Sequence, residues 1–302
     1  MGTIFTHSGL FHGDDVFAVA ICRLAGFGPT VERVRQLPET FSPEEGDIAV
    51  DLGGRFDPAG GIFDHHHEDA AQTNHLAAAG RVWEHFGTQI CGDSRVDVRV
   101  YSTLIGSIDR ADIALVDWQP AGEENWRHLS ASALISSLNP PFGTPPQEVQ
   151  AVFELAVATA SAAISNSIAQ AKLFFEMFDA VHSADFSEGQ QYLALTKAGP
   201  WQEHVLADDK FSSVLFVVFP SDRGGYQVQC VPDAPGSFGK RKPLPKAWGG
   251  LRGKELAEAS GLDLTDSQAL FCHPGLFICG AEYLHEAFAL TEAAIQEVPN
   301  EA

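Results

Sequence analysis

The chain has 302 residues, of which 45% are hydrophobic, and carries 40 acidic against 19 basic side chains for a formal net charge of −21. Its length suits two domains with separate cores, and its composition excludes a disordered chain. The charge argues against gripping long nucleic acid through a basic surface, because Lys and Arg neutralising phosphates dominate that affinity, and it fits a site where bound cations supply positive charge to short or small phosphate substrates.

In chain order, "TIFT" (3–6) predicts a short strand running to His7, followed by a Gly-containing loop. "DDVFAVAICRLAG" then has acids in a first turn, apolar helical spacing and Gly26 as a stop. "DIAVDLGG" (47–54) reads as a buried parallel strand with Asp51 at its carboxyl end. "AAQTNHLAAAGRVWEHFG" and "VDVRVYSTLIGSIDRADIA" predict helices, the second carrying Asp109 near its end. "NPPFGTPP" (139–146) is a break, and residues 147 to about 182 form a long Ala-rich helical pattern. Beyond about residue 190, "QYLALT", "SSVLFVVFP", "YQVQCVP" and "ALFCHP" alternate with turn signals, and a helix from about 281 to 296 closes the chain. The expected fold is α/β. It has a parallel-sheet domain over 1–146, a helical connector over 147–188 and a smaller α/β domain over 189–302.

No apolar run approaches the roughly 20 residues that span a bilayer, and the N-terminus shows no basic or Arg/Ser-rich leader. The expectation is a cytoplasmic protein, with no membrane partner and with an oligomer allowed. Five cysteines (22, 91, 230, 272 and 279) form no CxxC pair and read as buried thiols rather than disulfides or zinc ligands.

The residues able to carry chemistry gather where open α/β sheets bind ligands. His7, His12, Asp14 and Asp15 lie between a strand and a helix, Asp51 ends a second strand, and Asp64, His65, His66 and His67 follow a Gly-rich turn. Imidazole and carboxylate without thiolate suit manganese, iron, zinc or cobalt. Asp51 is the most telling: a carboxylate in an apolar run is costly unless paired or metal-bound, and one bridging two cations would explain it. Each residue also has a simpler reading. Asp14 and Asp15 can cap a helix, Asp51 can serve the turn before Gly53–Gly54, and the histidine run can be a solvated patch. Their joint occurrence favours a metal site. His75 and His85 fall in a helical pattern, and His128 and His182 have no neighbouring partner in sequence. No GxSxG elbow, Walker loop or dinucleotide fingerprint is present.

"THSGLFHGDD", "VDLGG" and "FDHHHE", in that order, resemble the Myg family (melanocyte proliferating gene proteins), grouped with DHH-type phosphoesterases. The likeness continues through "SIDRADIA", "GPWQEH", "RKPLPKAWGGLRGKEL" and "FCHPGLFICGAEYLHEAFALTEAA". The resemblance implies a DHH-like N-terminal domain, a smaller C-terminal domain with a cleft between them, and two divalent metals, usually Mn²⁺. It implies His7, His12 and Asp14 as first-loop ligands, Asp51 as the bridge, and His65 and Asp109 at the second metal. His66 would face the nucleophile or substrate, with Asp64 orienting it, and His67 would be an outer neighbour. In the C-terminal part, Lys240, Arg241, Lys242 and His273 are the candidate substrate-binding residues, while Cys279 stands where a glycine is expected. The expected function is phosphoester hydrolysis by water activated between two metals, as a 3′–5′ exonuclease on RNA or short oligonucleotides. The alternatives are a small-molecule phosphatase or pyrophosphatase, another metal-dependent hydrolase such as an amidase, and a non-catalytic metal-binding regulator.

Overall fold

The computed structural model describes residues 2–66, 76–113 and 130–297. They form two compact units, Met1–Lys172 and Leu173–Ala302, and the division falls inside a helix. His67, His75 and His128 lie outside the described residues.

In the first unit the elements run β1 (Ile4–His7), α1 (Gly13–Leu24), β2 (Val31–Val34), β3 (Ile48–Val50), β4 (Phe56–Asp57), β5 (Ile62–Phe63), α2 (Ala78–Cys91), α3 (Ser94–Val100), α4 (Gly106–Asp112), α5 (Ala131–Ser136) and the first part of α6 (Pro146–His182). The sheet order is β2-β1-β3-β5-β4. The pairs β1/β2, β1/β3 and β3/β5 are parallel, and β4 adds an antiparallel edge to the expected parallel sheet. Strands β2, β4 and β5 were not foreseen: at 4, 2 and 2 residues they are too short to show a periodicity. β1 and β3 are buried along their apolar residues because helices cover parallel strands. α1 is buried from Gly13 through Cys22, and so reads as apolar all round rather than as a striped surface helix. Since β1 has β2 on one side and β3 on the other, the chain reverses its winding there. Ligands of open α/β sheets bind in the crevice at the carboxyl ends of such strands.

Helices α3 and α4 are joined without a break by a π turn over Tyr101–Ile105. In α6, Phe153, Ala156, Val157, Ala160, Ile164, Ile168 and Ala171 are buried at helical spacing. Part of α6 is apolar and long enough to cross a bilayer by length and composition, contrary to the expectation that no such run exists. Small alanines spread through the helix lift its apolar character, while Thr159, Ser165, Asn166 and Gln170 lie exposed between the buried positions. A water-facing side of this kind is that of a helix packed on a protein core.

The second unit orders its strands β6 (Tyr192–Ala194), β7 (Phe216–Pro220), β8 (Tyr226–Cys230), β10 (Ile278–Ala281) and β9 (Phe271–Cys272), antiparallel except for β6/β7. Helices α7 (Gln202–Ala207), α8 (Gly253–Ser260) and α9 (Leu284–Gln296) complete it. Along β7, Phe216 and Val218 join a core with Trp248 and Leu290, whereas Val217 and Phe219 join one with Trp201 and Phe211. The period-two alternation of a strand thus divides the apolar residues between two faces. All five cysteines are buried free thiols.

Candidate metal centre

Four segments bring the first unit's acids and imidazoles together. His7 is the last residue of β1 and Asp51 follows β3 directly. Asp51 has φ +51°, a left-handed conformation that a short polar residue tolerates best, in keeping with a side chain turned out of the strand direction. His65 and His66 come just after β5, and Asp112 ends α4.

His7 Nε2 lies 3.3 Å from both Asp15 Oδ2 and Asp51 Oδ2. His65 Nδ1 lies 3.6 Å from Asp51 Oδ1 and 3.9 Å from Asp14 Oδ2, and its Nε2 is 3.2 Å from Asp112 Oδ2. His66 Nδ1 is 2.9 Å from Asp64 Oδ1 and 3.4 Å from Asp51 Oδ1. Three donor sets result: His7, His12 and Asp51; Asp14, His65 and Asp112; and Asp51, Asp64, His65 and His66, each with its ligand atoms within 4.8 Å of one another. Asp51 and His65 are each shared by two sets.

This arrangement fits a divalent cation on its own atoms. His7 Nε2, Asp15 Oδ2, Asp51 Oδ1 and His65 Nδ1 are buried and make no aligned hydrogen bond. Buried polar groups are normally hydrogen-bonded, so lone-pair donors aimed at one another are better satisfied by a cation than by each other. The electrostatics agree. Burial pushes Asp14 well above the ordinary carboxylate range and lifts Asp15 to about 6. Asp51, aided by Asp15, holds the proton on His7 up to about 9 against the opposing effect of burial. Burial also works against the His65 imidazolium but is outweighed by Asp112 and Asp51, so its pKa is raised.

The backbone fixes these side chains. Asp15 Oδ1 accepts from the amides of His12 (2.7 Å) and Val16 (2.9 Å), capping α1. Asp14 instead accepts from Ala78 (2.9 Å) and Ala79 (2.7 Å), using the positive end of α2. The cap reading therefore holds for both acids, each in a different way. Asp64 accepts from the amides of Gly54 (2.6 Å) and His66 (3.0 Å), which outweigh its burial and keep it a carboxylate below its usual range. The His7–His12 loop is held by Ser8 N–H donating to Val34 (2.9 Å) and by the Asn139 side chain, which accepts from Phe11 N–H (2.9 Å) and donates to the Phe11 carbonyl (2.7 Å).

Of the expected ligands, His7, His12, Asp14, Asp51 and His65 converge, with Asp64 and His66 beside them. Asp109, expected at the second metal, lies outside the three donor sets. Its oxygens accept from the Ala77 amide (2.6 Å) and the Tyr101 hydroxyl (3.1 Å), and it packs on Gly80, while Asp112 stands against His65. The π turn adds a residue to the helix and so rotates everything after it by about 100°. No periodicity in "DRAD" reveals that. The only available signal was a second acid three residues after Asp109.

In the second unit, Arg241 Nη1 donates to the carbonyls of Phe211 (2.7 Å), Val214 (2.9 Å) and Ser212 (3.3 Å), and Lys242 Nζ to those of Ile295 (2.6 Å) and Glu297 (2.9 Å). These expected substrate cations are committed to backbone, Lys242 at the carbonyl end of α9, where positive charge is favourable. Lys240 reaches the Phe238 carbonyl at 3.5 Å, and His273 stays exposed between β9 and β10, with its Nδ1 accepting from Gly275 N–H and its ring against Phe277. Cys279 is buried in β10 opposite Val228 and Cys272.

Fold and site together define an α/β protein whose buried His/Asp cluster, at the carboxyl edge of a largely parallel sheet, can hold a metal ion. The family model MYG1_exonuc, described as an uncharacterised protein family (UPF0160), matches residues 3–295. The chain belongs to this family. It is 30% identical to MYG1 exonuclease of Mus musculus over 333 residues, covering 98% of this chain and 85% of that protein. It is 28% identical to MYG1 exonuclease of Homo sapiens over 341 residues (97% and 86%), and 27% identical to MYG1 protein YER156C of Saccharomyces cerevisiae over 332 residues (97% and 95%). No solved structure gives a significant match.

Proposed function

We propose that the chain is a metal-dependent phosphoester hydrolase that works with two divalent cations, Mn²⁺ by preference, as a 3′–5′ exonuclease on RNA or short oligonucleotides. The observation that carries this is the convergence of buried donor atoms, lacking an aligned hydrogen bond, on the shared carboxylate of Asp51. The mouse and human relatives are named exonucleases, which supports taking a phosphodiester as the bond broken. His7, His12 and Asp51 would hold one cation, and Asp14, Asp51, His65 and Asp112 the other. When bound, such cations lower the pKa of water and offset charge developing on a phosphoryl group.

The chain's own residues supply the rest. Asp64 stays ionised and fixes the His66 ring through Nδ1, leaving Nε2 to hold or pass a proton. The His66 side chain is 66% exposed, so substrate can reach it. In hydrolysis, water adds to phosphorus, the P–O bond to the departing nucleotide breaks, and that oxygen takes up a proton; His66 is placed to deliver it. Asp15 and Asn139 keep the His7–His12 loop in register for this work.

The test is a 5′-labelled RNA of about ten nucleotides incubated with Mn²⁺-loaded protein, a length chosen because few phosphate contacts suit an acidic surface. A descending ladder, abolished by chelator, restored by Mn²⁺ and absent in Asp51→Asn, is expected. Intact RNA with metal demonstrably bound would refute the exonuclease reading and direct attention to small phosphate compounds.

A further inference from the structure

Arg33 pairs with Thr6 across β1/β2, one position before Val34 pairs with His7, and so stands at the sheet edge that carries His7 and Asp51. Its guanidinium is already oriented. Nη2 donates to the Gly9 carbonyl at 2.6 Å, within the His7–His12 loop, and the group lies 4.6 Å from the Phe153 ring centre and 5.6 Å from that of Phe11.

Asp15 is near enough to favour its charge, but what it lacks is a direct ion pair. Among the described residues no carboxylate forms an ion pair with Arg33, and its buried Nε has no hydrogen-bond partner. Other described arginines of similar burial are committed: Arg23 to Glu154, Arg81 to the Leu76 carbonyl and the Phe56 ring, and Arg241 to three carbonyls. In a chain with 40 acids and 19 bases, a partly desolvated guanidinium that forms no direct ion pair is an unusual cost. A planar cation fixed by stacking and one hydrogen bond, with N–H groups to spare, is the arrangement that receives a tetrahedral oxyanion.

We propose that Arg33 is an anion-binding residue of this centre, taking a phosphoryl group of the substrate on the N–H groups that Gly9 does not use. This deepens the proposed function and rests on it for the identity of the anion. Arg33 also steadies Gly9, so the test must separate binding an anion from holding the loop.

Inorganic phosphate and adenosine 5′-monophosphate are titrated calorimetrically into chelator-treated and Mn²⁺-loaded protein, for wild type, Arg33→Gln, Arg33→Lys and Arg95→Gln. Arg95 is an exposed arginine paired with Asp93 and controls for the change in net charge. In Arg33→Gln both probes should bind about tenfold more weakly or worse, with Arg33→Lys restoring only part, because a point charge replaces a fork. Mn²⁺ affinity should match wild type even though loss of the Gly9 hydrogen bond and the ring contacts lowers the thermal midpoint, and Arg95→Gln should leave binding of both probes unchanged. On RNA, Arg33→Gln should raise KM more than it lowers kcat. Unchanged phosphate binding in Arg33→Gln overturns the proposal. So does a parallel loss of Mn²⁺ affinity, which would make Arg33 a loop support, and so does acetate binding to wild type as tightly as phosphate. If wild type hydrolyses no RNA while phosphate binding still depends on Arg33, the exonuclease reading fails and the anion site stands. Hydrolysis with an unchanged KM in Arg33→Gln sinks the anion site alone.

Discussion

Asp51 sets the behaviour of its neighbours, because four imidazoles and the Asp64 carboxylate share the space around one side chain. Asn keeps its shape and tolerates the same φ +51° backbone, so Asp51→Asn should fold. Its Mn²⁺ affinity, measured by calorimetry, should fall by about a hundredfold or more, since a carboxylate common to two donor sets matters at least as much as the groups behind it. The metal-free centre also predicts a pH dependence. His7, with its pKa raised from 6.5 to about 9, contributes stability that is complete below pH 6.5 and is lost as pH rises through 9. Asp15, raised by burial to about 6, acts in a lower window: its contribution is complete below pH 3.8 and is lost as pH rises through 6, so the change above pH 6 belongs to His7. Chelated protein should therefore show a thermal midpoint that declines from pH 6 to pH 9.5. Mn²⁺ competes with the His7 proton, so binding should release protons and tighten over the same range. A flat midpoint, and binding heats that do not vary with the buffer, would contradict this.

Helix ends rather than helix interiors place the ligands. Asp14 and Asp109 both accept amides from the start of α2, so one helix terminus locates a candidate ligand and its supporting acid. Gly80 sits in that first turn against Asp109. Ala usually gains about 1 kcal/mol over Gly in a helix, but here its methyl would collide with the carboxylate. Gly80→Ala should instead lose about 1–3 kcal/mol in urea unfolding. Asn139 does equivalent work from the other side by bracketing Phe11. Asn139→Ala leaves that amide and carbonyl unmet and should lose about 1–3 kcal/mol together with part of the Mn²⁺ affinity. The π turn belongs to this scale too: it decides which face of α4 carries Asp112.

Across the whole molecule, charge governs what can approach. With a net charge of −21, affinity for nucleic acid cannot come from a broad basic surface. Binding of a ten-nucleotide RNA to Mn²⁺-loaded Asp51→Glu, chosen to retain a carboxylate, should weaken only gently with salt, with a log–log slope of about −2 or shallower, whereas a polycationic groove gives far steeper slopes. A steep slope would require a basic surface that the composition does not provide.

The amino-acid sequence by itself determined the α/β class, because apolar runs of strand and helix length alternate along it. It also singled out most of the candidate residues that the fold brings together, because His7, His12, Asp14, Asp51, His65 and His66 sit at the ends of those runs, where chain order alone brings them to one sheet edge. Only the tertiary structure set Asp112, rather than Asp109, against His65, gave Asp15 its cap, and turned Arg241 and Lys242 inward onto carbonyls. It also placed Arg33, on a strand too short to be read, beside the same centre. Each of these choices depends on helix phase or on contacts between residues far apart in the chain. Local pattern carries the period of an element but not its rotation or its neighbours.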